Sequence, residues 1–409
     1  MREMIKVLLS FSLLLVLMLS IPTSASITNH QHYPLNQNDV EIQNALDYLH
    51  TLQNNDGGFS NPDEESAVSN TQWTIMAIVA AGEDPHEWKD NSHSPIDYLR
   101  GNANNLTGST DYERMILALV AAEEDPRDFA GKDFVAELKK EYLKDNGQFS
   151  DFTYTTIWGI LALSSVGEDV STSVKWLKSQ QNDDGGFAWV PGEKSDYDDT
   201  AAAIEALIAA GENPDSKVIK DALEYLKTGL NTDGGFKFFG TSPSNAASDA
   251  WVVQAIVACG QDPLEWTENN NNPIDHLLSL QQSDGSFNYT SYIKSNPGYM
   301  TVCAIMALLG SPYPIKPPLH SKSTPAPTPA ILTPTPTVTP TTSTSTPAPA
   351  STPLQPTPTA TASAPALTTE TSPASNADTE VPGFGFLFGI IGLSAAVFVF
   401  VILRISKKP

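Results

Sequence analysis

The central part of this chain is predicted to be all-α, a closed ring of helical hairpins. Three observations lead there. A short turn motif returns five times, as "LQNNDGGFS" at Leu52, "LKDNGQFS" at Leu143, "QQNDDGGFA" at Gln180, "GLNTDGGFK" at Gly229 and "QQSDGSFN" at Gln281. The step from Phe59 to Phe149 is twice a unit of about 45 residues, and a worn sixth copy lies between them, from Ile96 to Pro126. Each copy also separates two helical patterns, one amphipathic and one rich in Ala. A hairpin of this size cannot bury its own apolar side. Six of them alternating inner and outer close into an (α/α)6 barrel.

The elements follow in chain order. Residues 1–26 read as a secretory signal: Arg2 and Lys6, then "VLLSFSLLLVLMLS", then "TSA" ending at Ala25. Residues 29–316 hold the six repeats. Their first helices, such as "ALDYLHTLQ" and "ALEYLKTGL", have apolar residues at helical spacing. Ser94-Pro95 and Asn272-Pro273 supply an N-cap and a proline at the first helical position. The Asp-Gly-Gly-Phe turn stops each first helix, and its Phe docks back on the apolar face. The second helices, such as "AAAIEALIAAGENP" and "WVVQAIVACGQDP", end at Gly with Pro three residues on. Their small side chains suit an inner ring.

Residues 321–380 are almost entirely Pro, Thr, Ser and Ala, a composition that does not offset its ordering entropy and suits an extended stalk. Residues 381–409 complete the chain. "FLFGIIGLSAAVFVFVIL", Phe386 to Leu403, is an uncharged run of about 18 residues, near the minimum for a spanning helix. Arg404, Lys407 and Lys408 follow it, which leaves the tail inside and everything before it outside. The expected location is the cell surface.

Charge and cysteine content exclude further classes. Residues 29–316 carry 17 Lys and Arg against 43 Asp and Glu, so nucleic acid is not an expected partner, and the membrane is met only through the C-terminal anchor. Cys259 and Cys303 both lie in apolar helical patterns, where buried thiols and a bridge both remain open. The seven His are scattered without ligand spacing, and no metal or cofactor is expected. Asn105-Leu106-Thr107 and Asn288-Tyr289-Thr290 match the N-glycosylation sequon.

Two resemblances add to this reading. The Gln-x-x-Asp-Gly-Gly-Phe repeats resemble those of the terpenoid cyclase and protein prenyltransferase superfamily, the prenyltransferase/squalene oxidase repeats. The stretch "VPGFGF" before the apolar run and basic end resembles the archaeal PGF-CTERM sorting signal, with Pro382, Gly383 and Phe384 as its signature. That second resemblance implies an archaeosortase-like peptidase that removes the helix and leaves a lipid anchor. Without processing, the run is a single-span anchor.

The superfamily resemblance places the working end at the barrel mouth, where inner helices begin. Those starts carry Trp73, Tyr112, Tyr154, Trp158, Asp249, Trp251 and Tyr299, a set of aromatic and acidic residues expected to line a central pocket. Filling of the hole by the same aromatics is the other expectation. Asp196-Tyr197-Asp198-Asp199-Thr200 is similar to the Asp-x-Asp-Asp-Thr motif of class II terpenoid cyclases. The resemblance implies that Asp198 protonates an alkene while Asp196 and Asp199 tune it, because like charges in a dry pocket cannot all ionise. A helix cap and a divalent-cation site are the other readings of the same cluster. In protein prenyltransferases an Asp, a Cys and a His hold zinc. Aligning the inner helices puts Asp249, Trp251 and Met300 there, so two ligands are missing. The Gly-Cys-Gly-Glu-Gln stretch of complement-type thioester domains is absent as well, and the second domain of extracellular cobalamin carriers has no counterpart.

Three functions follow from the sequence. One is a surface-anchored, non-catalytic binding or scaffold module for an apolar or planar small molecule or a peptide. The second is a class II cyclase-like enzyme using Asp198. The third is a structural spacer of the cell envelope.

Overall fold

The computed structural model describes residues 32–316, apart from residue 63. The expected signal peptide, stalk, sorting motif and membrane helix lie outside the described residues. No helix among the described residues is long and apolar enough to cross a membrane.

Among the described residues, twelve α-helices alternate between two concentric rings. The outer ones are α1 (Val40–His50), α3 (Pro95–Gly101), α5 (Phe134–Tyr142), α7 (Ser171–Lys178), α9 (Lys217–Lys227) and α11 (Pro273–Ser279). The inner ones are α2 (Val68–Ala80), α4 (Ser109–Ala121), α6 (Thr153–Ser165), α8 (Tyr197–Ala209), α10 (Ala246–Ala258) and α12 (Pro297–Leu308). The predicted sixth hairpin is there, as α3 and α4.

Sequence pattern decides which ring a helix joins. Outer α9 buries Ile219, Ala222, Leu223 and Leu226, one stripe at helical spacing, and leaves the rest partly or fully exposed. Inner α10 buries every residue from Ala246 to Ile256, because it has neighbours on all sides. The expected caps are in place. Ser94 and Asp97 form a reciprocal capping box ahead of Pro95, and Asn272 accepts from the Asp275 amide.

The ring closes. Each inner helix packs on the next, and α12 packs on α2. Outer helices pack on the inner helix before them, and α1, which has none before it, packs on α12. The turn motif repeats this closure in detail. Gln53 Nε2 donates to the Trp88 carbonyl at 3.0 Å and Gln181 Nε2 to Val218 at 2.8 Å, each reaching the following unit. In the last unit Gln281 Nε2 donates to Glu41 at 2.7 Å, in the first outer helix. The turn glycine Gly285 has φ +86° and lies so close to the Asn44 carbonyl that a Cβ would collide with it. Glycine is required there for both reasons.

Each motif Phe is sealed between the rings. Phe59, Phe149, Phe187, Phe236 and Phe287 are buried, and full burial of such a side chain is worth roughly 1.5–3 kcal/mol. Their amides are held by one inner-helix side chain each. Thr71, Thr156, Thr200 and Thr301 accept through Oγ1 at 2.8–3.0 Å, and Asp249 Oδ1 accepts at 2.5 Å in the fifth unit.

Candidate functional site

Those five accepting residues fix the register of the inner ring. They face outward, toward the turns. Residues two earlier and two later stand about 200° around the helix and therefore face the axis. The later set is Trp73, Trp158, Ala202, Trp251 and Cys303, and the earlier set is Ser69, Tyr154, Asp198, Ala247 and Tyr299.

The later set meets in the hole. Trp73, Trp158 and Trp251 pack edge to face, with ring centroids 5.2, 5.5 and 6.5 Å apart. Tyr313, from the segment after α12, sits among all three at 5.3–5.9 Å. Tyr299 packs on Trp73 at 5.6 Å. In the second unit, Arg114 of α4 donates to Asp111 Oδ1 at 2.6 Å and to Gln72 Oε1 at 3.2 Å, and its guanidinium lies 5.9 Å from the Trp73 ring. The open central pocket expected from these aromatics is therefore filled. A hollow of about 10 Å³ remains between Trp73, Asn70, Gly298 and Tyr299, room for one water.

Two of the expected pocket residues face away from the axis. Tyr112 packs on Phe134 and Tyr142 of α5 at 6.1 and 5.6 Å. Asp249 lies in the wall, accepting from the Phe236 amide and pairing with His276 Nδ1 at 2.6 Å. Burial raises the Asp249 carboxyl and His276 opposes that rise. His276 itself is pulled down by burial, but Asp249 outweighs this and leaves it raised. Tyr154 faces the mouth and stacks on Phe152 at 5.2 Å, which stacks in turn on Trp189 at 5.9 Å.

The acidic cluster lies at the start of α8. Asp196 caps the helix, its Oδ1 accepting from the Asp199 amide at 2.8 Å, so the cap reading holds for that residue. Asp198 is different. It is 4 % exposed, and its Oδ1 has no hydrogen-bonding partner among the described residues. Burial pushes its carboxyl up to about 8, against a hydrogen bond from Ser248 and with help from the charges of Asp199 and Asp249. Asp196 and Asp199 are raised too, mainly by burial. Among the described residues no group of three or more His, Cys, Asp or Glu is arranged to hold a metal ion.

Some residues at the centre carry no repeat signal. Tyr313 lies beyond the last helix pattern, and its amide donates to Glu205 Oε2 at 2.7 Å. Arg114, by contrast, could be found by counting two residues on from Tyr112. Cys259 and Cys303 are unbridged. Asn105 and Thr107 are exposed, whereas Thr290 is buried with its hydroxyl accepting from the Ile293 amide.

With this geometry in hand, the comparisons define the class. The prenyltransferase alpha-alpha toroid domain matches residues 10–110 and 131–321. The chain belongs to that family. Among solved structures it is similar to the type II terpene cyclase MstE from Scytonema, with 15% identity and a TM-score of 0.51 over 67% of this chain and 98% of that one. MstE in complex with geranylgeranyl dihydroxybenzoate gives 14% and 0.50, over 66% and 96%. A novel alpha-amylase from Clostridium perfringens gives 14% and 0.50, over 67% and 99%. Likeness at such identity extends to the fold alone. None of the curated proteins matches the chain.

Proposed function

We propose that this toroid carries an acid site of the class II terpenoid-cyclase type, with Asp198 as the proton donor to an alkene of an isoprenoid substrate. The observation that supports it most is Asp198 itself: a buried carboxyl whose hold on its proton is raised by burial, with one oxygen unpartnered among the described residues and aimed along the axis-facing register. Asp196 shapes the donor from the cap, and Asp199 adds a charge that disfavours its ionisation. Proton transfer from Asp198 leaves a carboxylate that Ser248 already hydrogen-bonds.

A second reading rests on a different observation, the filled hole. Three Trp and Tyr313 packed against one another in the hole suit a rigid scaffold or envelope spacer, presented on the stalk at the cell surface and held by the C-terminal anchor or its lipid-anchored product. One experiment separates the two. The full chain is incubated with geranylgeranyl-bearing aromatic acids and with linear polyprenyl diphosphates, and cyclised products are sought by mass spectrometry. The acid reading predicts product from the parent and none from Asp198→Asn. No product from the parent overturns it and leaves the scaffold.

A further inference from the structure

One stretch of the wall departs from the repeat, and it stands beside Asp198. In the other four units with a motif Phe, a Thr of the inner helix accepts from the Phe amide. In two of them a Tyr of the next outer helix lies against the second turn glycine, Tyr98 on Gly58 and Tyr225 on Gly186. Those hydroxyls donate to the Ser66 and Ser195 carbonyls at 2.8 and 2.7 Å. The fifth unit changes both positions together. Asp249 stands for the Thr, and His276, against Gly235, stands for the Tyr. His276 Nδ1 pairs with Asp249 Oδ2 at 2.6 Å, and Nε2 lies 3.6 Å from Asp233 Oδ2.

The fold needs only part of this exchange. Asp249 Oδ1 holds the Phe236 amide as a Thr hydroxyl does elsewhere, but Asp249 also brings a carboxyl into the interior, with the larger desolvation cost. What the exchange adds is a graded series of titratable groups through the wall. The Asp233 side chain is 53 % exposed, that of His276 11 % and that of Asp249 0 %. The inner end of the series adjoins the acid. Asp249 follows Ser248, which hydrogen-bonds Asp198, and the charge of Asp249 acts on Asp198. Tyr289 lies by both carboxyls: burial raises its phenol, and the charges of Asp198, Tyr292 and Asp249 add to the rise.

An acid that gives up a proton in each turnover has to regain one, and Asp198 is only 4 % exposed. We propose that Asp233, His276 and Asp249 return the proton from water to Asp198, by way of the Tyr289 hydroxyl. The inference rests on the acid role of Asp198. Water or Asp233 gives a proton to His276 Nε2 while Nδ1 passes its own to Asp249 Oδ2. Asp249 hands that proton to the Tyr289 oxygen, and the Tyr289 hydroxyl proton moves to Asp198 Oδ1. The bond from Tyr289 to Oδ1 is not made in the resting structure, and it forms when proton loss charges that oxygen. The imidazole is left with its proton on Nε2, and exchange with water returns it to Nδ1. These are positioning residues, which act through Asp198.

The test follows the protonated Asp198 carboxyl of the full chain by infrared after a rapid jump from pH 9.5 to pH 6. His276→Gln keeps a donor for Asp249 but carries no proton. Asp233→Asn keeps the turn bond to the Gly235 amide, as Asn146 does to Gln148 in the third unit. His276→Gln and Tyr289→Phe slow the return of the band at least about tenfold, and Asp233→Asn slows it less. His276→Ala leaves a space that imidazole fills, and added imidazole restores the rate, which a structural loss would not allow. A band that returns at the parent rate in His276→Gln and Tyr289→Phe overturns the proposal. So does a slow His276→Ala that imidazole leaves unchanged. A parent without the Asp198 band at pH 6 refutes the acid reading itself, and the path falls with it.

Discussion

Asp198 and Asp249 are two buried carboxylates on adjacent inner helices, and they have opposite fates. Asp249 occupies the register that faces the outer ring, where other units place Thr, and both its oxygens are engaged, by the Phe236 amide and by His276. Asp198 occupies the register that faces the axis, where one oxygen has no partner among the described residues. The difference lies in where along a helix each residue falls, not in the residue type. A buried carboxyl that is fully paired serves the fold, and one left partly unpaired is pushed toward its neutral form, the state the proposed acid role requires.

The largest expected effect breaks the paired member. Asp249→Ala leaves the Phe236 amide and His276 without their acceptor, and denaturant unfolding should show a loss of about 3–5 kcal/mol. Asp249→Thr, restoring the residue of the other units, should recover the Phe236 hydrogen bond and part of that loss. Asp198→Asn should cost less than about 1 kcal/mol, or stabilise, because it removes an acid that burial disfavours. A loss of stability as large as that of Asp249→Ala would place Asp198 among the structural carboxylates.

The pH dependence sharpens the contrast. The folded chain keeps the Asp198 proton up to about 8, while the unfolded chain releases it near 3.8. The folded state then binds the extra proton, so stability falls as pH rises between those values. Asp198→Asn should flatten that slope. His276 begins to act inside this window, from 6.5 upward. Its folded value is raised above 6.5, so its contribution is complete below 6.5 and fades as pH climbs through the folded value. His276→Gln should remove this smaller effect.

Much of this was legible in the sequence. Five copies of the turn motif and a 45-residue spacing specify the hairpins, and the worn copy at Ile96–Pro126 forms α3 and α4 as its pattern predicts. The site was less legible. Tyr112 and Asp249 stand near the inner-helix starts, as Trp73 and Trp158 do, and proximity in sequence grouped them. The helical angle separates them, because two residues of offset turns a side chain to the opposite face. Tyr313 was out of reach for another reason. It lies outside every repeat, and its burial depends on a chain reversal that no local pattern encodes.

A smaller comparison concerns the two sequons. In a host that glycosylates exported chains, Asn105, exposed beside exposed Thr107, should carry glycan, and Asn288, whose Thr290 is buried, should not. Peptide mass spectrometry checks both.

The state of the Asp198 carboxyl is the most direct test of the account. Infrared difference spectra between pH 6 and pH 9.5, recorded for the parent and for Asp198→Asn, isolate its C=O stretch. A protonated-carboxyl band present at pH 6, lost by pH 9.5 and absent from the variant is the predicted result. A parent with no protonated-carboxyl band at pH 6 beyond those of the variant would mean that Asp198 is already ionised there, and the acid site would not exist.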